Sequence, residues 1–246
     1  MAEGSPHPTA GSEGKRAGSD APTAVVLGAS NVTNGLPEIV EAARATLGPN
    51  LGLLVVHGHG RSYGLRSRVL VRSLPSIVDA GVWSYLEGLR RPPAHAILTD
   101  VGNDIMYGQA PADILRWVET CVDRLHDLGI ATTVVGLPLT RLDRLGRATY
   151  EAARMALFPT QKRLPYETAL ARIRAVADGV RSIAAARECR WIEPPAAWYG
   201  VDPVHITRRQ RQSAWSSIVG SWIAPSPPEP VNARPVTRLR RRLRLR

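Results

Sequence analysis

Two hydrophobic periods alternate along residues 23–224. Thr23–Ala29 (TAVVLGA) is a short β-branched run bounded by Pro22 and polar residues, which predicts a buried strand. Leu36, Ile39, Val40, Ala43 and Leu47 follow at helical spacing, and Gly48-Pro49 stops them. Leu51–Val56 predicts a second strand. Leu74, Ile77, Val78, Val82, Tyr85, Leu86 and Leu89 form the next apolar stripe and predict a helix, with Ser73 as its N-cap. Ala94–Val101 predicts a third strand. A helical face runs from Ile114 through Trp117, Val118, Cys121, Val122 and Leu125 to Leu128, ending at Gly129. Ala131–Leu137 predicts a fourth strand. Residues 141–165 are helical in part, with apolar Leu142, Leu145, Ala156 and Leu157, and are interrupted by Pro159 and Pro165. A helix is predicted over 168–187, a short fifth strand at Cys189–Ile192, and a last helix at Thr207–Ile223 with Thr207 as its cap.

Five strands alternating with helices imply the α/β class, with a five-stranded parallel sheet covered on both faces. Right-handed crossovers then put ligands at the carboxyl ends of the strands.

Composition narrows the rest. The 246 residues suit one α/β domain at 23–224. With 44% hydrophobic and 22% charged residues the chain is of globular type. No apolar run approaches the ~20 residues of a membrane helix. The first twenty residues lack an apolar stretch of the signal-peptide kind, so the expected location is cytoplasmic. Residues 1–22, rich in Gly, Ser, Pro and Ala, are expected to be a disordered leader. Residues 225–236 read as a Pro-rich linker before an Arg-rich tail. The net charge is +11, but seven arginines stand against one glutamate from Pro225 onward, more than half of it. The basicity therefore belongs to the tail, which is expected to be solvated. Its alternating Leu and Arg at 237–246 offer an anionic surface, membrane or nucleic acid, as the alternative. Two cysteines, Cys121 and Cys189, exclude a disulfide scaffold or a cysteine-rich zinc module.

Four polar clusters follow predicted strands and share one sheet edge. Gly28-Ala29-Ser30-Asn31 follows the first and His57-Gly58-His59-Gly60-Arg61-Ser62 the second. Asp100-Val101-Gly102-Asn103-Asp104 follows the third, and Asp202-Pro203-Val204-His205 comes after the fifth. Acyl transfer needs this inventory. A serine hydroxyl is a poor nucleophile until a base takes its proton, and His205 is a candidate base. Asp202, three residues earlier, can reach the imidazole Nδ1–H and fix its tautomer. The Ser30 N–H, the Gly60 N–H and the Asn103 amide are candidate oxyanion donors.

The order Gly-x-Ser, Gly, Gly-Asn-Asp and Asp-x-x-His resembles the SGNH (GDSL-type) hydrolases over about residues 24–223. The resemblance implies a three-layer α/β/α sandwich, flavodoxin-like, and a serine esterase acting on a small-molecule ester without a metal or cofactor. It implies Ser30 as nucleophile, His205 as base, Asp202 as its orienting partner, and Ser30, Gly60 and Asn103 as the oxyanion hole. The chain departs from the family's Gly-Asp-Ser at Ala29.

Other readings compete. Ser62, inside Gly60-x-Ser-x-Gly64, is a rival nucleophile. The Ser30–Gly35 loop suits a phosphate or flavin-binding module. His57 and His59 with Asp100 and Asp104 suggest a metal site, although satisfied polar histidines are the plainer expectation. Asp104 is expected to support the Asn103 turn, and Trp198 and Tyr199 either line a pocket or pack on the final helix.

Overall fold

The computed structural model describes residues 23–69, 72–142, 146–157, 161 and 163–224. The expected leader and the linker with its tail lie outside the described residues, as do Leu145 and Pro159.

In chain order the elements are β1 (Thr23–Leu27), α1 (Ser30–Asn34), α2 (Leu36–Leu47), β2 (Gly52–Val56), β3 (Ser67–Val69), β4 (Arg72–Leu74) and α3 (Val82–Glu87). There follow β5 (His95–Leu98), α4 (Asn103–Met106), α5 (Pro111–Asp127), β6 (Ala131–Val135), α6 (Leu139–Leu142) and α7 (Arg147–Leu157). The chain closes with α8 (Tyr166–Ala186), β7 (Arg190–Ile192), a 3₁₀ turn at Ala196–Trp198 and α9 (Arg211–Gly220).

The main sheet has five strands in the order β2-β1-β5-β6-β7, and every pairing in it is parallel. Alternation along the strands sorts the core into two halves. Val25, Leu27, Ala96, Leu98 and Val134 face α3, α5 and α8, in one buried cluster with Trp83, Ile114, Val118 and Val176. Ala24, Val26, Ile97 and Val135 face α2 and α9, in a second cluster with Ile39, Ala43, Trp215 and Ile218. Helices on both faces make the three-layer α/β/α sandwich that the strand–helix alternation predicts. Among the described residues no helix is long and apolar enough to cross a membrane.

Two predicted elements differ. The stripe from Leu74 to Leu89 is not one helix with a Ser73 cap. Ser73 sits in β4, which pairs antiparallel with β3. Pro75 follows, and a proline keeps the residue before it out of the helical region. The Ile77 and Val78 N–H groups donate to the carbonyls of Ser62 and Tyr63, 3.0 Å each, not to a preceding turn. Ser76 Oγ accepts the Asp79 N–H at 2.9 Å, closing a turn, and helix begins only at Val82. The final helix starts at Arg211, four residues after Thr207. The Thr207 N–H donates to the Trp198 carbonyl at 2.9 Å, and Ile206 bridges to Tyr199, so the chain is held extended there.

The site lies where the chain leaves β1 for β2 on one side and returns to β5 on the other. There the loops after β1, β2 and β5 stand side by side at the carboxyl edge.

Candidate active site

Ser30 opens α1 immediately beyond β1. The helix has no side-chain cap of its own, because Ala29 stands at the cap position. The cap comes from another strand. Asp100, the second residue past β5, has φ +62, a left-handed conformation that Asp tolerates better than most side chains. Its carboxylate accepts the Ala29 N–H at 2.7 Å, the Asn31 N–H at 3.0 Å and the Asn31 amide at 2.8 Å.

Asn31 ties this turn to the histidine loop. Its Nδ2 also donates to the Val204 carbonyl at 2.9 Å, and its Oδ1 accepts the Ile206 N–H at 2.8 Å. One amide side chain thus brackets His205 from both sides. Within that loop, Asp202 Oδ1 accepts the N–H groups of Val204 and His205 at 2.9 and 3.2 Å. Asp202 Oδ2 lies 2.6 Å from His205 Nδ1, and His205 Nε2 lies 2.8 Å from Ser30 Oγ. Ser30, His205 and Asp202 therefore stand in one hydrogen-bonded line. A carboxylate on Nδ1 fixes that nitrogen as the donor and leaves Nε2 to accept from Ser30.

Electrostatics follow the same line. Burial works to lower the His205 pKa, but its hydrogen bond and charge contact with Asp202, aided by Asp100, raise it above the ordinary 6.5. Burial works to raise the Asp202 pKa, and the bonds from His205 and the Val204 N–H outweigh it, leaving the carboxylate below 3.8.

Gly60 follows β2 with φ +64, a left-handed backbone that glycine adopts without steric cost. Its carbonyl accepts the Tyr107 hydroxyl from the residue ending α4. Asn103, the first residue of α4, donates one amide N–H to the Arg61 carbonyl at 3.0 Å. Ser30, Gly60, Asn103 and His205 all line one cavity of about 620 Å³. Among the described residues, neither the Ser30 nor the Gly60 N–H is paired with an acceptor.

The rivals are placed elsewhere. Ser62 is fully buried, donates its hydroxyl to Asp104, and accepts the Leu65 N–H at 2.7 Å. Asp104 does more than serve its own turn. It reaches across to Ser62 and to the Tyr63 N–H at 2.9 Å, fastening the loop after β2 to α4. Burial raises the Asp104 pKa, opposed by these hydrogen bonds. His57 Nδ1 lies 3.0 Å from Thr33 Oγ1, and Asp100 is committed to the Ser30 turn. Among the described residues no group of three or more His, Cys, Asp or Glu is arranged to hold a metal ion. Trp198 is buried against the α9 side of the sheet, whereas Tyr199 lines the cavity.

Sequence reasoning passed over Asn31 as a connector, Asp100 as a cap, and Tyr107. The first two had a signal, since each stands at a strand end beside a candidate residue. Tyr107 had none.

No family model matches the sequence, and no curated protein matches it. Solved structures do share its fold. A carbohydrate acetylesterase family member from Sinorhizobium meliloti is 15% identical, with a TM-score of 0.56 over 81% of this chain and 96% of that one. The acetyl xylan esterase AlAXEase is 12% identical, with a TM-score of 0.54 over 82% and 100%. The psychrotrophic esterase EstA from Pseudoalteromonas sp. is 10% identical, with a TM-score of 0.52 over 81% and 97%. What this chain has in common with these esterases is the fold, across nearly their whole length.

Proposed function

We propose that the protein is a serine esterase or related acyl hydrolase of the SGNH type. The observation that carries this reading is the Ser30–His205–Asp202 line, with contacts of 2.8 and 2.6 Å, opening on a cavity beside Gly60 and Asn103. The shared fold with solved esterases supports it.

Ser30 Oγ attacks the ester carbonyl carbon as His205 Nε2 takes its proton. The carbonyl π electrons move to oxygen, and the oxyanion meets the Ser30 N–H, the Gly60 N–H and the second N–H of the Asn103 amide. Asp202 stabilises the imidazolium. Collapse of the intermediate breaks the bond to the leaving alcohol, which receives the proton from His205 Nε2. The acyl group stays on Ser30. Water then repeats the sequence, giving up a proton to His205 and releasing the acid with Ser30 restored. Acyl transfer to another hydroxyl uses the same groups.

The phosphate-binding reading has lost its anchor. Beside the Ser30 N–H, which is unpaired among the described residues, the Ala29 and Asn31 N–H groups are bonded to the Asp100 carboxylate, which repels an anion.

The test is covalent labelling with a fluorophosphonate followed by peptide mapping. The native protein acquires one adduct at Ser30, and Ser30→Ala acquires none there. An adduct confined to Ser62, or no adduct on folded protein, rejects the assignment.

A further inference from the structure

We propose that the cavity beside Ser30 accepts a medium-to-long alkyl chain, so that the substrates are fatty acyl esters rather than acetylated sugars. This rests on the hydrolase reading above and deepens it.

A volume of about 620 Å³ lies within the ~300–1,000 Å³ range of pockets for sizeable small molecules, far beyond the needs of an acetyl group. Away from Ser30 its wall is largely hydrocarbon. Leu137, Leu142, Tyr150 and Ile173 each expose under 10% of their surface to bulk solvent, yet all border the cavity. On α7, Tyr150, Ala153 and Arg154 present one face to it, the i, i+3, i+4 set. The alanine leaves room there that a larger residue would fill.

The polar atoms of these wall residues are directed to protein partners. The Tyr150 hydroxyl donates to the Leu164 carbonyl at 2.7 Å, and the Tyr107 hydroxyl to Gly60. The Arg154 guanidinium pairs with Glu151 at 3.2 Å, and its aliphatic stem is available to the cavity that Arg154 lines. Gln161 adds one amide. A sugar ring needs several convergent donors and acceptors, because each buried hydroxyl left without a partner is costly. An alkyl chain needs none, and each buried methylene multiplies the specificity constant roughly fourfold.

The experiment is a p-nitrophenyl ester series (acetate, butyrate, octanoate, dodecanoate) on the full chain at submicellar concentrations. The expected result is a rise in kcat/KM of roughly a hundredfold or more from acetate to octanoate. Ala153→Trp is expected to lower the octanoate-to-acetate ratio at least tenfold, and Ala153→Leu by less. A flat series, or one that peaks at acetate, overturns the proposal, as does a ratio that neither variant moves. Decanoate titrated calorimetrically into Ser30→Ala reads the cavity without turnover, and absence of binding counts equally against it. Fluorophosphonate labelling of the same preparation separates the two readings. A labelled enzyme that prefers acetate loses only the alkyl site. Decanoate binding to a protein that labels nowhere loses only the hydrolase.

Discussion

At Ala29 the chain carries a methyl group where the resembled family has a carboxylate, directly before Ser30. The carboxylate bonded to the Ala29 and Asn31 N–H groups is that of Asp100, the second residue past β5. The turn is thus supported by a different residue, and Asp100 also adds negative charge near His205. The consequence shows in the pH profile. His205 must be neutral to accept the Ser30 proton, and its pKa is raised above 6.5. Activity is therefore lost as pH falls through the raised value, and the acid limb of kcat/KM has its midpoint above 6.5. Asp202→Asn removes the main group that raises the pKa and leaves only the smaller contribution of Asp100 against burial, which lowers it, so the midpoint moves down. The same change lowers kcat by on the order of 10²–10⁴ through loss of the tautomer and of imidazolium stabilisation. A stopped-flow profile on a soluble ester checks both shifts, and a native midpoint below 6.5 excludes His205 as the base. Ser30, Asp202 and His205 were legible because each is a polar residue next to a recognisable strand or loop pattern. Asn31 and Asp100 stood beside candidate residues but their roles did not show, because the bonds that define them span 68 or more positions of sequence.

Among the elements, the loop after β2 shows why a motif alone misleads. Gly60-x-Ser62-x-Gly64 fits a nucleophile pattern, but Ser62 is sealed from solvent and donates to Asp104. Its hydroxyl also accepts from the Gly64 and Leu65 N–H groups, so it shapes the loop that offers Gly60. Ser62→Ala therefore leaves a buried carboxylate short of a donor, which costs roughly 1–3 kcal/mol. For a domain of this size that is a fall in Tm of about 2–4 °C per kcal/mol. Calorimetry is expected to show this loss while fluorophosphonate labelling of Ser30 persists. Abolished labelling on folded Ser62→Ala would reverse the two serines' roles. The misread stripe at Leu74–Leu89 has a related cause. Of its apolar residues Ile77 and Leu86 are buried in the core, whereas Tyr85 is exposed and the core aromatic is Trp83, which the stripe did not include. The stripe does not form one helix, because Pro75 and the bonds to Ser62 and Tyr63 commit the backbone to another path.

Over the whole molecule, strand count, strand type and layering were readable, because a doubly covered parallel sheet writes continuous apolar runs into its strands. The return of the chain from β7 to the site was not. β7 is an edge strand at the far side of the sheet from β1 and β2. Between β7 and α9 the chain crosses back to Ser30, where Asn31 holds Val204 and Ile206 and α9 then packs with α2 in one buried cluster. At Gly35, between α1 and α2, that packing leaves no room for a side chain. A Cβ placed on Gly35 would lie 1.9 Å from Trp215 Nε1 of α9, and the indole is 1% exposed with no room to withdraw. Gly35→Ala therefore has to push α9 outward, an overpacking that costs roughly 1–3 kcal/mol. The displacement is expected to pass back along residues 207–210 to Ile206 and Val204, which Asn31 holds on either side of His205. A base misplaced by about 1 Å costs up to 10² in rate, so kcat is expected to fall at least tenfold while KM changes less. Gly220→Ala, where an added Cβ meets nothing within 4 Å, is the matched control and leaves both Tm and kcat in place. A Gly35→Ala protein that is less stable but turns over at the native rate would show that the α2–α9 contact serves stability alone, and that the histidine loop is positioned by Asn31 without it.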